Sequence, residues 1–434
     1  MVRRQGAARS AIGGPTPDDD APPKVSRSKR LANALAVFGP GLVVMLADTD
    51  VGSVITAGQS GARWGYRLLA LQLILVPILY MAQELTVRLG IFTGRGHGEL
   101  IRDTFGPFWG WVSATGLGVA TTGALLTEFS GVAGVGELYG LPRFATLPIA
   151  AIALLAVVLT GSYRRVERAA IILGLFELAF FFVAWAAHPD PSALLAGALT
   201  IPYANKDYLY LAAANIGAVV MPWMIFYQQS AIADKRLRPE HYAAARWDTA
   251  IGALLTQLVM AAVLIASAAT IGLKHPDAPL ATVGDMSEAL TPFLGVTMGH
   301  LVFGAGVLGA AMVAAIVSSL AFAWGLGEVN GYRRSLEFHP FEARWFYGVY
   351  TACVIGGAVV VAVWRDLIAL NVGLQVMNAL MLPLVLGLLI ALAIKALPPS
   401  RQLRGVYLWV VLLVYTLTCV LGVSGGLSGM GLLG

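Results

Sequence analysis

Apolar runs of membrane-spanning length recur along almost the whole of this 434-residue chain, and no other feature limits its fold as strongly. A helix needs about 20 apolar residues to cross the hydrocarbon core of a bilayer. Runs of that kind lie at 33–61, 67–92, 109–138, 143–161, 167–187, 207–232, 246–273, 292–327, 344–363, 367–394 and 405–424, which predicts about eleven transmembrane helices. Hydrocarbon offers the backbone no hydrogen-bond partner, so helices that satisfy themselves are the expected structure. Charged residues make up only 12% of the chain, against about 25% in a soluble domain. The net charge of +5 is scattered over short loops and builds no basic face, which argues against nucleic acid as a partner. Cys353 and Cys419 lie in apolar runs and form no pattern that would staple a fold or hold zinc.

Residues 1–30 are rich in Arg, Pro, Ala and Asp without apolar periodicity, which predicts a disordered tail ahead of a membrane domain over 31–434. The first apolar run is too long for a cleaved secretory signal. Cytoplasmic loops carry an excess of Lys and Arg. An inside N-terminus puts Lys24, Arg27, Lys29, Arg30, Arg95, Arg102, Arg164, Arg165, Arg168, Lys235, Arg236, Arg238, Arg333, Arg334, Arg401 and Arg404 on one side, leaving Arg63, Arg67, Arg143, Lys206, Lys274 and Arg365 outside. A multi-pass protein of the cytoplasmic membrane, with a cytoplasmic N-terminus, is the expectation.

Within this apolar frame two runs are interrupted. The first reads Leu46-Ala-Asp-Thr-Asp-Val-Gly-Ser53, with Asp48 and Asp50 at membrane depth. A carboxylate there is costly and marks a cation or proton site by default. The second reads Asn215-Ile-Gly-Ala-Val-Val-Met-Pro-Trp223. Broken segments at corresponding places in two halves point to the central site of a secondary transporter. The economical architecture is an inverted repeat of five helices each, about 31–190 and 206–394, with a peripheral helix at 405–424 and with helices 1 and 6 broken.

The breaks supply candidate ligands. Asp48 and Asp50 would point about 200° apart on a regular helix, so both face one site only if the backbone unwinds, for which Gly52 is placed. Asp50 and the Ser53 hydroxyl offer hard oxygen ligands, while Asp48 stands as a second ligand, a proton carrier or a lining group of the access path. Pro222 cannot donate to the helix ladder and frees a carbonyl one turn earlier, that of Ala218 or a neighbour. Met221 supplies a thioether, which favours transition metals over magnesium and calcium, although Met also fills core gaps. Glu128 reads as a proton acceptor or a buried structural pair. Gln228, Gln375 and Asn378 place amides where they bond between helices or touch a hydrated ion. Glu84 and Arg88, spaced i, i+4, are expected to pair. His97, His241 and His339 are expected as solvated loop residues.

Taken together, Gly39-Pro-Gly41, Asp50-Val-Gly-Ser53, Arg88-Leu-Gly-Ile-Phe-Thr-Gly94 and Gly217-Ala-Val-Val-Met-Pro-Trp223 resemble the natural-resistance-associated macrophage protein family of divalent-metal importers. The resemblance implies metal binding by the Asp50 carboxylate, the Ala218 carbonyl and the Met221 sulfur, with Ser53 in place of the family's Asn. It implies a proton-linked role for Glu128. Val51 stands where the family has Pro, Trp223 where it has a histidine tied to proton chemistry, and Asp48 is an added acid. These departures resemble divergent bacterial branches, some of which move magnesium with weak proton coupling. Import of manganese- or iron-like ions, with or without proton coupling, is the expected function, with uncoupled or weakly coupled magnesium or manganese transport as the alternative. An amino-acid or organic-solute symporter of the same fold is a further alternative, disfavoured because Asp50 would repel a substrate carboxylate. No nucleophile–base pair or His-rich motif lies within the helices, so no enzyme activity and no cofactor are expected.

Overall fold

The computed structural model describes residues 39–272, 283–285, 287, 294–364 and 371–432. The expected N-terminal tail, and Lys274 and Arg365 in the loops, lie outside the described residues. Within them the chain is helical, without a strand. The first predicted run is two helices, α1 (Pro40–Asp48) and α2 (Val51–Trp64). There follow α3 (Leu69–Thr93), the short α4 (His97–Phe105), α5 (Pro107–Leu138) and α6 (Arg143–Val158). The fifth run is interrupted: α7 (Tyr163–Gly174) passes through a 3₁₀ turn, Leu175–Leu178, into α8 (Ala179–Ala186). After α9 (Pro191–Ala198), the sixth run again divides, into α10 (Lys206–Val219) and α11 (Pro222–Asp234). The remainder is α12 (Tyr242–Ser267), α13 (Val296–Asn330), α14 (Arg344–Val363), α15 (Asn371–Lys395) and α16 (Gly405–Gly429). Each of the eleven predicted runs is therefore mainly helical over its described residues, and the first and sixth are each broken at two residues.

Eight helical stretches among the described residues are long and apolar enough to cross a membrane. Large apolar side chains such as Phe108, Ile149, Trp185, Trp345 and Trp409 stand exposed around the bundle. On a soluble protein such a surface would drive aggregation; on this one it is the lipid-facing coat.

The two broken runs occupy the centre. α12 packs against α1, α2 and α3, and α10 packs against α15 and α16. Irregular backbone is tolerated at membrane depth only when enclosed by protein, and both breaks meet that condition. Thr49, Asp50, Val220 and Met221 are all at most 1% exposed.

Candidate functional site

Each break is two residues long, and the two are alike in geometry. Thr49 closes α1 (φ −76°, ψ 43°) and Asp50 is extended (φ −67°, ψ 168°) at the N-cap of α2. Val220 closes α10 (φ −126°, ψ 87°) and Met221 is extended (φ −95°, ψ 147°) at the N-cap of α11. Asp50 and Met221 thus hold equivalent positions, each heading the second half of its helix. The Asp50 carboxylate caps α2 by accepting from the Ser53 amide at 2.6 Å. Met221 makes no side-chain cap, and Pro222 at the first helical position removes one orphan amide instead.

The breaks are joined directly. Ser53 Oγ donates to the Ala218 carbonyl at 3.3 Å, so two of the predicted ligand groups meet across the repeats. A closed polar chamber lies against this bond, lined by Asp48, Ser53, Gln72, Asn215, Ala218, Val219, Gln257 and Met260. Asp50 and Met221 are not in its lining. Both oxygens of Asp48, both polar atoms of the Gln257 amide and Gln72 Oε1 are buried there without a hydrogen bond. Buried polar atoms left unpaired cost about 1–3 kcal/mol each.

Around the breaks the predicted accessory residues separate. Glu128 reaches the first break from α5, its Oε2 accepting from the Val51 amide at 3.3 Å while Oε1 has no partner. Gln375 touches both: a Cβ on Gly52 would meet its side-chain nitrogen, and a Cβ on Gly217 would meet its backbone carbonyl. Its Oε1 accepts from Asn378 at 3.0 Å. Trp223 is fully buried with Nε1 unpaired. Gln228 lies away from the breaks, accepting from Thr86 at 2.7 Å and donating to Thr249 at 2.8 Å as an interhelical bond.

Two expectations change. Gly52 does not unwind the chain, because it lies within α2 and the unwound residues are Thr49 and Asp50; its bare Cα instead admits Gln375. His97 is not solvated: it is 2% exposed and its Nδ1 sits 2.8 Å from Gln229 Oε1. Burial pushes its imidazole down to about 4. The Glu84–Arg88 pair is formed as expected, at 2.7 Å.

Three sets of residues escaped the sequence reading. Gln72, Asn215 and Gln257 converge only through packing; Gln72 donates to Asn215 at 2.5 Å, and Asn215 donates to Ser60 at 2.8 Å. Asp248 on α12 caps α1 from a distance, accepting from the Gly39, Gly41 and Leu42 amides at 3.1, 2.8 and 3.2 Å. Glu177 sits in the 3₁₀ turn, fully buried, with neither oxygen hydrogen bonded. An acid inside an apolar run was the signal for it.

Two broken helices at equivalent positions of a helical bundle, closed over buried polar groups, are the arrangement of the inverted-repeat transporter fold. The description "Natural resistance-associated macrophage protein-like" matches residues 41–427, and the chain belongs to that family. It is 31% identical over 337 residues to the divalent metal cation transporter MntH of Chromohalobacter salexigens, covering 73% of this chain and 76% of that one. Its identity to the Bradyrhizobium diazoefficiens protein of the same name is 28% over 299 residues. That match spans 66% of each chain, a little under two thirds of the relative's length. The crystal structure of the Eremococcus coleocola manganese transporter, bound to an aromatic bis-isothiourea compound, shares the fold with a TM-score of 0.74. The identity there is 19%, with 94% of this chain and 90% of that one covered.

Proposed function

We propose that this protein is a secondary transporter that carries divalent metal cations through the cytoplasmic membrane by alternating access, with its N-terminus in the cytoplasm. The observation that carries the reading is the equivalence of Asp50 and Met221, heading the second halves of two broken helices that the Ser53–Ala218 bond ties together. Asp50 supplies charge, Ser53 and the Ala218 carbonyl supply neutral oxygens, and Met221 supplies sulfur. This mixed set suits manganese- or iron-like ions better than magnesium or calcium. Glu128, on the amide that follows Asp50, is placed to take a proton as the ion's charge arrives or leaves. The names of the relatives in the family, divalent metal cation transporters, support the substrate class.

Polar side chains close the breaks on both sides in the described state. Gln72, Asn215 and Ser60 link α3, α10 and α2 on one side. On the other, Asp248 holds α1 and the Gln228 amide joins α11 to α3 and α12. Alternating access would break one closure at a time.

Magnesium is the second reading, favoured by one observation: the chamber against Ser53 and Ala218 is lined by the Asp48 carboxylate and by amides, and its one sulfur belongs to Met260, not to Met221. Purified full-length protein in liposomes decides the matter. Saturable manganese uptake, blocked by cadmium and not by excess magnesium, is the expected result. Efficient magnesium uptake with no cadmium block would favour the second reading, and absence of uptake for every divalent ion would overturn both.

A further inference from the structure

The carboxyl group of Glu177 has no assigned role, and its surroundings are unusual for an acid. The 3₁₀ turn Leu175–Leu178 interrupts an otherwise apolar spanning segment and presents Glu177 to the first break. The side chain is wholly buried, and neither oxygen accepts a hydrogen bond. It faces the Thr49 hydroxyl, which is engaged with the Thr256 hydroxyl of α12 at 2.7 Å. Thr256 in turn faces Asp48, whose two oxygens are also unbonded. The order in space is Glu177, Thr49, Thr256, Asp48.

The charged groups near Glu177 are acids. Asp48 and Asp50 lie on the break and Glu128 on α5. α13, packed on the same turn where Gly309 meets Phe176, brings it no charge among the described residues. No Lys or Arg forms an ion pair with these acids among the described residues. An intramembrane acid normally pairs with a cation, a backbone group or a proton. For Glu177 the first two are missing among the described residues, which leaves the proton.

Two hydroxyls in contact share one of their hydrogens and keep the other free, because each is a single donor with two acceptor lone pairs. The free hydrogen can serve either end of the pair, according to which way both hydroxyls turn. We propose that Glu177 holds a proton that is exchanged during the transport cycle through the Thr49–Thr256 hydroxyl pair. In the forward step the Glu177 carboxyl, which faces Thr49 without a hydrogen bond in the described state, turns onto Thr49 Oγ and gives it its proton, and Thr49 gives its own hydrogen to Thr256 Oγ. Thr256 passes its hydrogen to water entering the opened chamber. One O–H bond forms as each one breaks, and the positive charge leaves as hydronium. Glu177 acts here on the co-transported proton and does not touch the metal.

This inference rests on the transport reading, and one experiment separates their failures. Full-length protein in liposomes is given manganese outside and a pH-sensitive dye inside, so metal and proton entry are read together. Wild type should admit protons with manganese. Glu177→Gln keeps the shape and removes the exchangeable proton; Thr256→Val keeps the shape and cuts the pair. In both, the ratio of protons to manganese should fall at least about tenfold, and Glu177→Asp should recover part of it. Because the readout is a ratio, lower yield of a variant does not mimic the effect. An unchanged ratio in Glu177→Gln, or in Thr256→Val should the first fail to fold, overturns the inference, as does manganese uptake by wild type without proton entry. Absence of manganese uptake by wild type overturns the transport reading itself.

Discussion

The two breaks share a backbone plan and differ in almost everything attached to it. The first is polar and holds the charge: Asp50 caps its own helix, Glu128 reaches it from α5, and Glu177 approaches it from the 3₁₀ turn. The second is neutral and depends on shape. Val220 and Met221 carry no charge, Pro222 replaces a side-chain cap, and Gly217 lets α10 lie with its backbone against that of α15. An inverted repeat would permit two equivalent half-sites. In the proposed site one half would supply electrostatics and the other close packing, a carbonyl and a sulfur. A single ion needs both, since charge without fixed geometry binds every cation, and geometry without charge binds none strongly.

The largest effect should follow from removing the charge. Asp50→Ala is expected to lower metal uptake by more than about a hundredfold, because groups one layer beyond a metal ligand already cost about 10–100-fold when removed. The variant should still fold. It loses one N-cap, worth about 1 kcal/mol, and sheds a buried carboxylate. Uptake assayed beside thermal unfolding in detergent checks this. A variant that transports at the wild-type rate would show that the first break is not the charged half of the site.

The next effect separates close packing in the two breaks. A methyl on Gly217 would meet the Gln375 carbonyl and the Ala379 amide, both backbone atoms that cannot swing away. Gly217→Ala should therefore cost about 1–3 kcal/mol, the usual range for overpacking, and should reduce uptake with it. On Gly52 the nearest atom is the end of the Gln375 side chain, which can turn aside, with Thr127 Cγ2 next at 3.2 Å. Gly52→Ala should be the milder of the two in thermal unfolding. Equal losses would mean that shape matters as much at the first break as at the second.

How far these differences were legible in the sequence depends on what kind of signal each residue leaves. Asp48, Asp50 and the Met221-Pro222 pair stand out because each violates the rule of its surroundings: charge in an apolar run, or proline in a helix. Glu177 violates the same rule and was passed over within a segment otherwise read as a plain span. Gln72, Asn215 and Gln257 violate nothing, since amides are common in transmembrane helices, and only the packing of α3, α10 and α12 reveals that they meet. The role assigned to Gly52 failed for a related reason. Its bare Cα answers a neighbour 323 positions away, Gln375, and not a local need to unwind. The Asp248 cap on α1 is equally non-local, spanning 207 positions to Gly41.

A smaller effect tests the neutral half for ion choice. Met221→Ala should lower the preference for manganese over magnesium and calcium by about tenfold, near 1.4 kcal/mol, while leaving the protein folded. The reason is that a thioether gives little to hard cations and more to transition metals. Competition of magnesium and calcium against manganese uptake, wild type and variant side by side, is the measurement. If selectivity does not move, Met221 only fills space, and the second break contributes no more than the Ala218 carbonyl.

The smallest effect concerns how the far ends of the two broken helices are held. α1 is capped by a carboxylate, Asp248, on three amides. α11 is held in part by a neutral contact, Gln229 against His97. His97 precedes α5 in a connecting segment, and burial lowers its imidazole to about 4 from an ordinary value of 6.5. The sign then follows from linkage: as pH falls, the unfolded chain takes up the proton first, because its histidine is the more basic one. Stability from this residue is complete above about 6.5, declines as pH falls toward about 4, and is level below that. Between about pH 7 and about pH 5.5 the wild type should lose about 1 kcal/mol more than His97→Gln, which cannot take the proton. Every other group that titrates in this range is common to both proteins and cancels in the difference. At neutral pH the contact is therefore an uncharged one, so it should hold α11 equally well in high and low salt. Loss of Asp248 should instead show a salt dependence, because there a charge meets the amide end of a helix. Parallel pH slopes for wild type and His97→Gln would mean that His97 is solvated after all, and the contrast between a charged and a neutral hold on the two helices would collapse.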